Sequence, residues 1–338
     1  MLGENETQDS CRIGDRKCHA KNTEGFMNRR ELLKRSAAFG FVAGIPLAAG
    51  KLFAGAGRVK AEDGTEKDRA ADRYNPLVPP ANGAIPVAFV ISDGAVVIDF
   101  AGPWEVFQDV HDAQGHGFFN LYTVAETTKP VTASAGLKIV PDYTFQTAPS
   151  PKVTVIPAQN GESAAMLEWI RKSARTADVT MSVCTGAYVL AKTGLLSGKA
   201  ATTHHSAYSE FAMQFPDIQL KRGARFVEDG NLASSGGLSS GVDLALRVVE
   251  RYYGRERAEK TADMMEYQGQ GWLNPNSNQV YAKARVSTDA HPVCPVCEMD
   301  GDPALKSVYK GKNYYFCSPD HKEMFDKAPA KFAAAREQ

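Results

Sequence analysis

Val179-Thr-Met-Ser-Val-Cys184-Thr-Gly-Ala-Tyr-Val-Leu190 decides how the rest of the chain is read. A β-branched run stops at Cys184, two small residues follow, and a helix-forming segment begins at once. Strand, tight turn and helix in that order lift a side chain out of a sheet and set it against a helix N-terminus. Unpaired N–H groups there favour an anion, so a thiolate at Cys184 would be stabilised. The competing reading is a buried cysteine packed as a small hydrophobe.

Working outward, the pattern alternates. Ile85 to Ser92 reads as a buried strand, and Ala95 to Phe100 as a second apolar run that Gly102-Pro103 breaks. A helix is expected from Trp104, strands at Phe119–Ala125 and Val153–Pro157, and a helix over Ser163–Ala174. Beyond the elbow come short strands at Ala200–Thr203, Ala224–Glu228 and Leu232–Ser235, then helices over Gly241–Tyr253 and Arg255–Tyr267. Alternation of this kind predicts an α/β fold, a flavodoxin-like three-layer αβα sandwich around a mainly parallel sheet. Ligands of such sheets bind beyond the carboxyl ends of the strands. Asp99, Pro157 and Cys184 are all expected at that end.

Composition narrows little. The 39 basic and 39 acidic residues balance, so neither nucleic acid nor an acidic membrane is expected as a partner; the strand-end site is where a small-molecule substrate or ligand is expected.

The residues then become recognisable. Ile98-Asp99-Phe-Ala-Gly102-Pro103-Trp-Glu-Val-Phe107 resembles the first helix entry of the ThiJ/PfpI superfamily, within the class I glutamine amidotransferase-like fold. Ser182-Val-Cys184-Thr185-Gly186-Ala187, Thr202-Thr203-His204, Ser235-Gly236-Gly237 and Gly241-Val-Asp243 are similar to the same group, in the same order, across residues 85–267. The likeness is nearest to the branch containing isonitrile hydratase and the sensor halves of certain AraC-type regulators. It implies Cys184 as nucleophile and Asp99 as its acidic partner. The backbone N–H groups of Thr185 and Gln159 would be oxyanion donors, with His204 beside the cysteine. No cofactor is implied for this domain, and dimerisation is. Asp99 also has a plainer reading, as a helix N-cap. Three departures qualify the likeness. Thr185 stands where protease members carry histidine, so a Cys-His protease is not expected. Ala158-Gln159 replaces a glycine pair at the oxyanion site, and His205 replaces a tryptophan. The resemblance therefore implies a hydro-lyase; the alternative is a non-catalytic small-molecule or redox sensor domain coupled to a metal-handling carboxyl module.

At the amino end, residues 1–26 read as disordered or as an artefact of an early start codon. Residues 27–61 resemble a twin-arginine signal: Asn28-Arg29-Arg30-Glu-Leu-Leu-Lys34 precedes an apolar run from Ala37 to Gly50. The run is too short to span a bilayer, so no stable membrane anchor is expected after signal removal. Export to the periplasm, or otherwise out of the cytoplasm through the twin-arginine route, is the expectation. Residues 62–84 read as a linker, and so do 268–290.

Residues 291–335 carry Cys294-Pro-Val-Cys297-Glu-Met299 and Tyr314-Tyr-Phe-Cys317-Ser-Pro-Asp-His321. So small a unit commonly needs a metal or a disulfide. Cys294, Cys297, Cys317 and His321 have the spacing of four tetrahedral ligands, suited to zinc or copper; a Cys294–Cys297 or Cys297–Cys317 disulfide is the alternative. The stretch resembles the YHS domain, a small metal-associated module, with Glu298 where a glycine is usual.

Overall fold

The computed structural model describes residues 75–334. The signal-like segment and the residues before it lie outside that range. In chain order the elements are β1 (Ile85–Val90), α1 (Val97–Gln108), β2 (Phe119–Ala125), β3 (Val131–Thr132), β4 (Lys138–Ile139), β5 (Tyr143–Thr144), β6 (Val153–Ile156), α2 (Ala164–Ala174), β7 (Val179–Val183), α3 (Gly186–Lys192), β8 (Ala200–Ala201), α4 (Tyr208–Gln214), β9 (Gln219–Leu220), β10 (Phe226–Asp229), β11 (Leu232–Ser235), α5 (Ser240–Tyr253) and α6 (Arg255–Met264). A carboxyl module follows, with the antiparallel pair β12 (Asp302–Tyr309) and β13 (Lys312–Phe316), then α7 (Pro319–Lys327) and α8 (Pro329–Ala334). No helix among the described residues is long and apolar enough to cross a membrane.

The central sheet has seven strands in the order β10-β11-β7-β6-β1-β2-β5. All neighbours are parallel except the β10–β11 pair at one edge. Strands covered on both faces tend to be apolar along their length; β6 and β7 are buried at every position, with Thr154, Thr180 and Ser182 interrupting their aliphatic runs. Alternate residues serve the two cores. Val87, Phe89, Val179, Met181 and Val183 face the cluster built with α1, α5 and α6. Ala88, Val90 and Ile156 face the one containing Met166 and Ile170 of α2 and Leu190 of α3. The three-layer α/β sandwich expected from the alternation is the architecture found.

One element differs. The apolar run at Ala95–Phe100 is not a strand: α1 begins at Val97 and continues through Pro103. Proline removes the helix hydrogen bond to the carbonyl four residues back, yet the helix is not broken there. Tight packing holds it, because a Cβ on Gly102 would lie 2.9 Å from Val242 and one on Gly241 would lie 3.4 Å from Pro103. Asp99 consequently sits in the first turn of a helix rather than at a strand end. Its N-cap reading also lapses, since Val96 holds that position.

Residues 268–285, expected as a linker, fold back onto the α/β domain through 3-10 turns at Gly271–Leu273 and Gln279–Tyr281. Trp272 is buried, and its N–H donates to Asp243 Oδ1 at 2.9 Å. The Arg225 N–H donates to Pro275 O at 2.6 Å, and Gln279 Nε2 to Gly223 O at 3.3 Å.

The elbow itself depends on one glycine. A Cβ on Gly186 would fall 2.2 Å from Ile156 O and 2.7 Å from Pro157 O, so α3 can leave the sheet this closely only without a side chain. Gly186→Ala is therefore expected to lower the unfolding free energy by roughly 3 kcal/mol, the upper range for overpacking, in denaturant titration. A loss below about 0.5 kcal/mol would mean that the elbow relaxes freely.

Candidate active site and carboxyl metal cluster

Cys184 follows the last residue of β7 and has φ +58, the left-handed region that non-glycine residues seldom enter. Holding it there costs about 1–2 kcal/mol. Two hydrogen bonds keep the strained peptide in place: Cys184 N–H donates to Gly236 O at 3.0 Å, and the Thr203 hydroxyl donates to Cys184 O at 3.0 Å. The N–H groups of Thr185 and Leu238 and the Thr185 hydroxyl lie around the sulfur and favour its ionised form. Leu238 was not singled out in the sequence. Its own positive φ, 46°, turns its amide toward the sulfur, and the only hint was the preceding Gly236-Gly237.

Asp99 approaches the same sulfur from α1, close enough for each group to shift the ionisation of the other. The carboxyl group is 0% exposed. Oδ2 accepts from Ala158 N–H at 3.2 Å, while Oδ1 has no partner among the described residues. Val96 N–H in turn donates to Ala158 O at 2.8 Å, so the end of β6 clamps the start of α1 and fixes the carboxyl group. Burial raises the Asp99 pKa to about 6, against the lowering effects of Ala158 N–H and Cys184. Cys184 rises to about 11, first by burial and then by the neighbouring Asp99 charge; its amide donors offset only part of this. The expectation of a stabilised thiolate is corrected. Near neutrality the pair is a thiol beside a carboxylate, because desolvation outweighs the N–H groups at the head of α3.

The remaining expected residues divide. Thr185 is at the sulfur. His204 is half-buried and its ring lies against Gly237, where a Cβ would be 2.3 Å from Cδ2. Its Nδ1 accepts from Ser206 N–H at 3.2 Å and lies 2.7 Å from the Ser206 hydroxyl, which places the ring proton on Nε2. Burial lowers its pKa, so the ring is neutral near pH 7. The Gln159 side chain turns back onto the end of β1, accepting from Ser92 Oγ at 2.8 Å and donating to Val90 O at 3.2 Å.

The second constellation is in the carboxyl module. One ligand atom from each of Cys294, Cys297, Cys317 and His321 lies within 4.8 Å of the other three. Cys297 Sγ and Cys317 Sγ are 3.4 Å apart, Cys317 Sγ is 3.1 Å from His321 Nδ1, and Cys294 Sγ is 3.7 Å from that nitrogen. None of the four described cysteines, Cys184 included, is in a disulfide. A tetrahedron with metal–sulfur bonds of about 2.3 Å has sulfur–sulfur edges of about 3.8 Å, so the donor set fits a zinc-sized ion with little movement. Hydrogen bonding from Cys297, together with His321, pulls Cys294 below the ordinary thiol range. Met299 is 52% exposed, and its carbonyl accepts from Cys294 N–H.

Glu298, the residue in the usual glycine place, has φ +62 and is only 7% exposed. Arg222 Nη2 bonds both its oxygens, at 3.0 and 2.8 Å, and Ser209 Oγ donates at 2.6 Å. Both partners belong to the α/β domain. A non-glycine residue in this backbone region costs about 1 kcal/mol or more, and a charge-assisted contact of this kind is strong enough to offset it.

Comparison with known proteins agrees with this geometry. Residues 86–251 match the DJ-1/PfpI family and residues 292–336 the YHS domain. The chain is 34% identical over 189 residues to isonitrile hydratase of Pseudomonas putida, covering 54% of this chain and 79% of that protein. The chain belongs to the DJ-1/PfpI family. It is also 26% identical over 200 residues to the HTH-type transcriptional regulator GbdR of Pseudomonas aeruginosa, of whose length it spans 54%. A ThiJ/PfpI family protein from Pseudomonas syringae has a similar structure, with TM-score 0.50 and 31% identity over 56% of this chain and 77% of that one.

The buried carboxylate has a measurable signature. Its folded-state pKa lies above the unfolded value, so ionising it opposes folding, by roughly 3 kcal/mol once the pH exceeds 6. The penalty disappears below about pH 4, where the group is protonated in both states. Asp99→Asn should therefore raise the melting temperature at pH 7 and leave it unchanged at pH 3.5. Equal shifts at both pH values would contradict the assignment.

Proposed function

We propose that the chain is an exported enzyme that hydrates a small electrophilic carbon, with Cys184 as nucleophile and Asp99 as proton carrier, in the manner of isonitrile hydratase. The observation that carries this is the free oxygen of a buried Asp99, poised to ionise near pH 6 beside a protonated thiol. A base of that pKa is ionised at neutrality yet returns its proton readily.

With an isonitrile, the thiol proton passes to Asp99 as sulfur attacks the terminal carbon. Asp99 then protonates the carbon, leaving a thioimidate on Cys184. Water adds to that carbon, one of its protons passing through Asp99 to the imidate nitrogen. Collapse of the adduct expels the sulfur, the remaining hydroxyl proton passing through Asp99 to it, and an N-substituted formamide is released. Developing charge is met by the N–H groups of Thr185 and Leu238, with the backbone N–H of Gln159 assigned to the same task. His204, neutral and committed to Ser206, packs on Gly237 beside the Leu238 donor. The redox-sensor alternative is disfavoured by the same pKa, because a sensor cysteine needs a thiolate at working pH.

The carboxyl cluster is assigned a metal-holding role. Three cysteines and one histidine complete a closed tetrahedral set suited to zinc, which would supply folding stability to the module rather than chemistry. The Arg29-Arg30 segment supports export in the folded state, with metal loaded beforehand.

Turnover of an alkyl isonitrile to the formamide is the test. Cys184→Ala should abolish it, and Asp99→Asn should lower kcat by about a thousandfold. The wild-type kcat/KM should rise with pH through a limb near 6. Unchanged turnover in Cys184→Ala would refute the mechanism.

A further inference from the structure

The carboxyl module and the Cys184 elbow are joined by a continuous set of contacts. Cys184 is 8% exposed and flanked by residues 203–204 and 236–238. His204 packs on His205 with ring centroids 4.3 Å apart. His205 stacks on Tyr281 at 4.1 Å and 14°, and Tyr281 belongs to the segment leading into the module. The chain runs on from His205 into α4, where Ser209 holds Glu298 and Met213 packs against the module's own core.

Arg222 ties the same parts together. Its guanidinium lies 4.8 Å above the ring of Tyr208, holds Glu298 through Nη2, and donates through Nε to Ala282 O, one residue beyond Tyr281. Glu298 is aimed by the knuckle that carries two cluster ligands: its N–H donates to Cys294 O at 2.9 Å, and Cys294 N–H donates to Met299 O at 2.8 Å. Whatever sets the shape of that knuckle sets whether Glu298 meets Arg222.

We infer that the carboxyl module is a metal-dependent gate on Cys184, with Glu298 as its latch. An ion drawing Cys294, Cys297, Cys317 and His321 together holds the knuckle in the shape that seats Glu298 on Arg222 and Ser209. The Tyr281–His205–His204 contacts are then held against the Gly237 turn that flanks Cys184. Loss of the ion loosens the knuckle, releases the latch and opens the way to Cys184. This rests on the metal reading of the cluster given above, and it adds a regulatory input to the site.

The test follows alkylation of Cys184 by N-ethylmaleimide at pH 8, quantified on its own peptide by mass spectrometry, beside zinc stoichiometry by elemental analysis. Stripping zinc from the wild-type chain should accelerate Cys184 labelling about tenfold, and zinc added back should restore the slow rate. Glu298→Gly relieves the strained backbone and leaves the four ligands in place. Arg222→Met acts from the other domain and leaves the knuckle untouched. Both should retain one zinc per chain and label fast whether zinc is present or not. Zinc bound one per chain with no change in labelling on its removal would overturn the gate. Binding of no zinc would overturn the metal reading, and with it the metal input. Slow labelling in both latch variants would overturn Glu298 as the latch.

Discussion

A carboxylate kept out of water beside a thiol is the constraint on which the rest of the site depends. Asp99 gains one backbone donor and a sulfur in exchange for full hydration, which leaves its ionisation disfavoured by roughly 3 kcal/mol. That cost is sustainable only on a rigid support. The support is the clamp between α1 and the end of β6, together with two strands buried at every position. The same desolvation reverses the usual logic of an elbow cysteine. Amides converge on the sulfur, yet the neighbouring charge and the dry surroundings hold the proton on it. Catalysis then requires transfer within the pair rather than a standing thiolate.

Much of this was legible in the chain. The β-branched run ending at Cys184 and the small residues after it specify strand, turn and helix by local propensity alone, and β7 and α3 lie where that pattern places them. Periodicity failed at Ala95–Phe100, because an apolar run of six residues satisfies a buried strand and a buried helix turn equally. Pro103 then suggested a break that close packing between α1 and α5 overrides. The polar Asn- and Gln-rich composition of residues 268–285 concealed a segment ordered by Asp243, Arg225 and Gly223, partners distant in sequence. No local pattern encodes such contacts.

The ionisation state was the least legible feature. The sequence places Cys184 at a helix start, which argues for a low pKa, and brings Asp99 to the same end of the sheet without saying how dry that place is. Only the fold excludes water from the pair, and then the sign changes. Glu298 is the opposite case: a glutamate in a glycine's place reads as a departure, and the structure supplies its reason in Arg222 and Ser209.

The ionisation of Asp99 is the property on which the chemistry of this site turns. Following its carboxyl band by infrared difference spectroscopy, with Asp99→Asn as the blank, measures that ionisation directly. A midpoint near pH 6 is predicted. A midpoint near 4, the value of a solvated aspartate, would mean that the carboxyl group is neither dry nor held against the thiol.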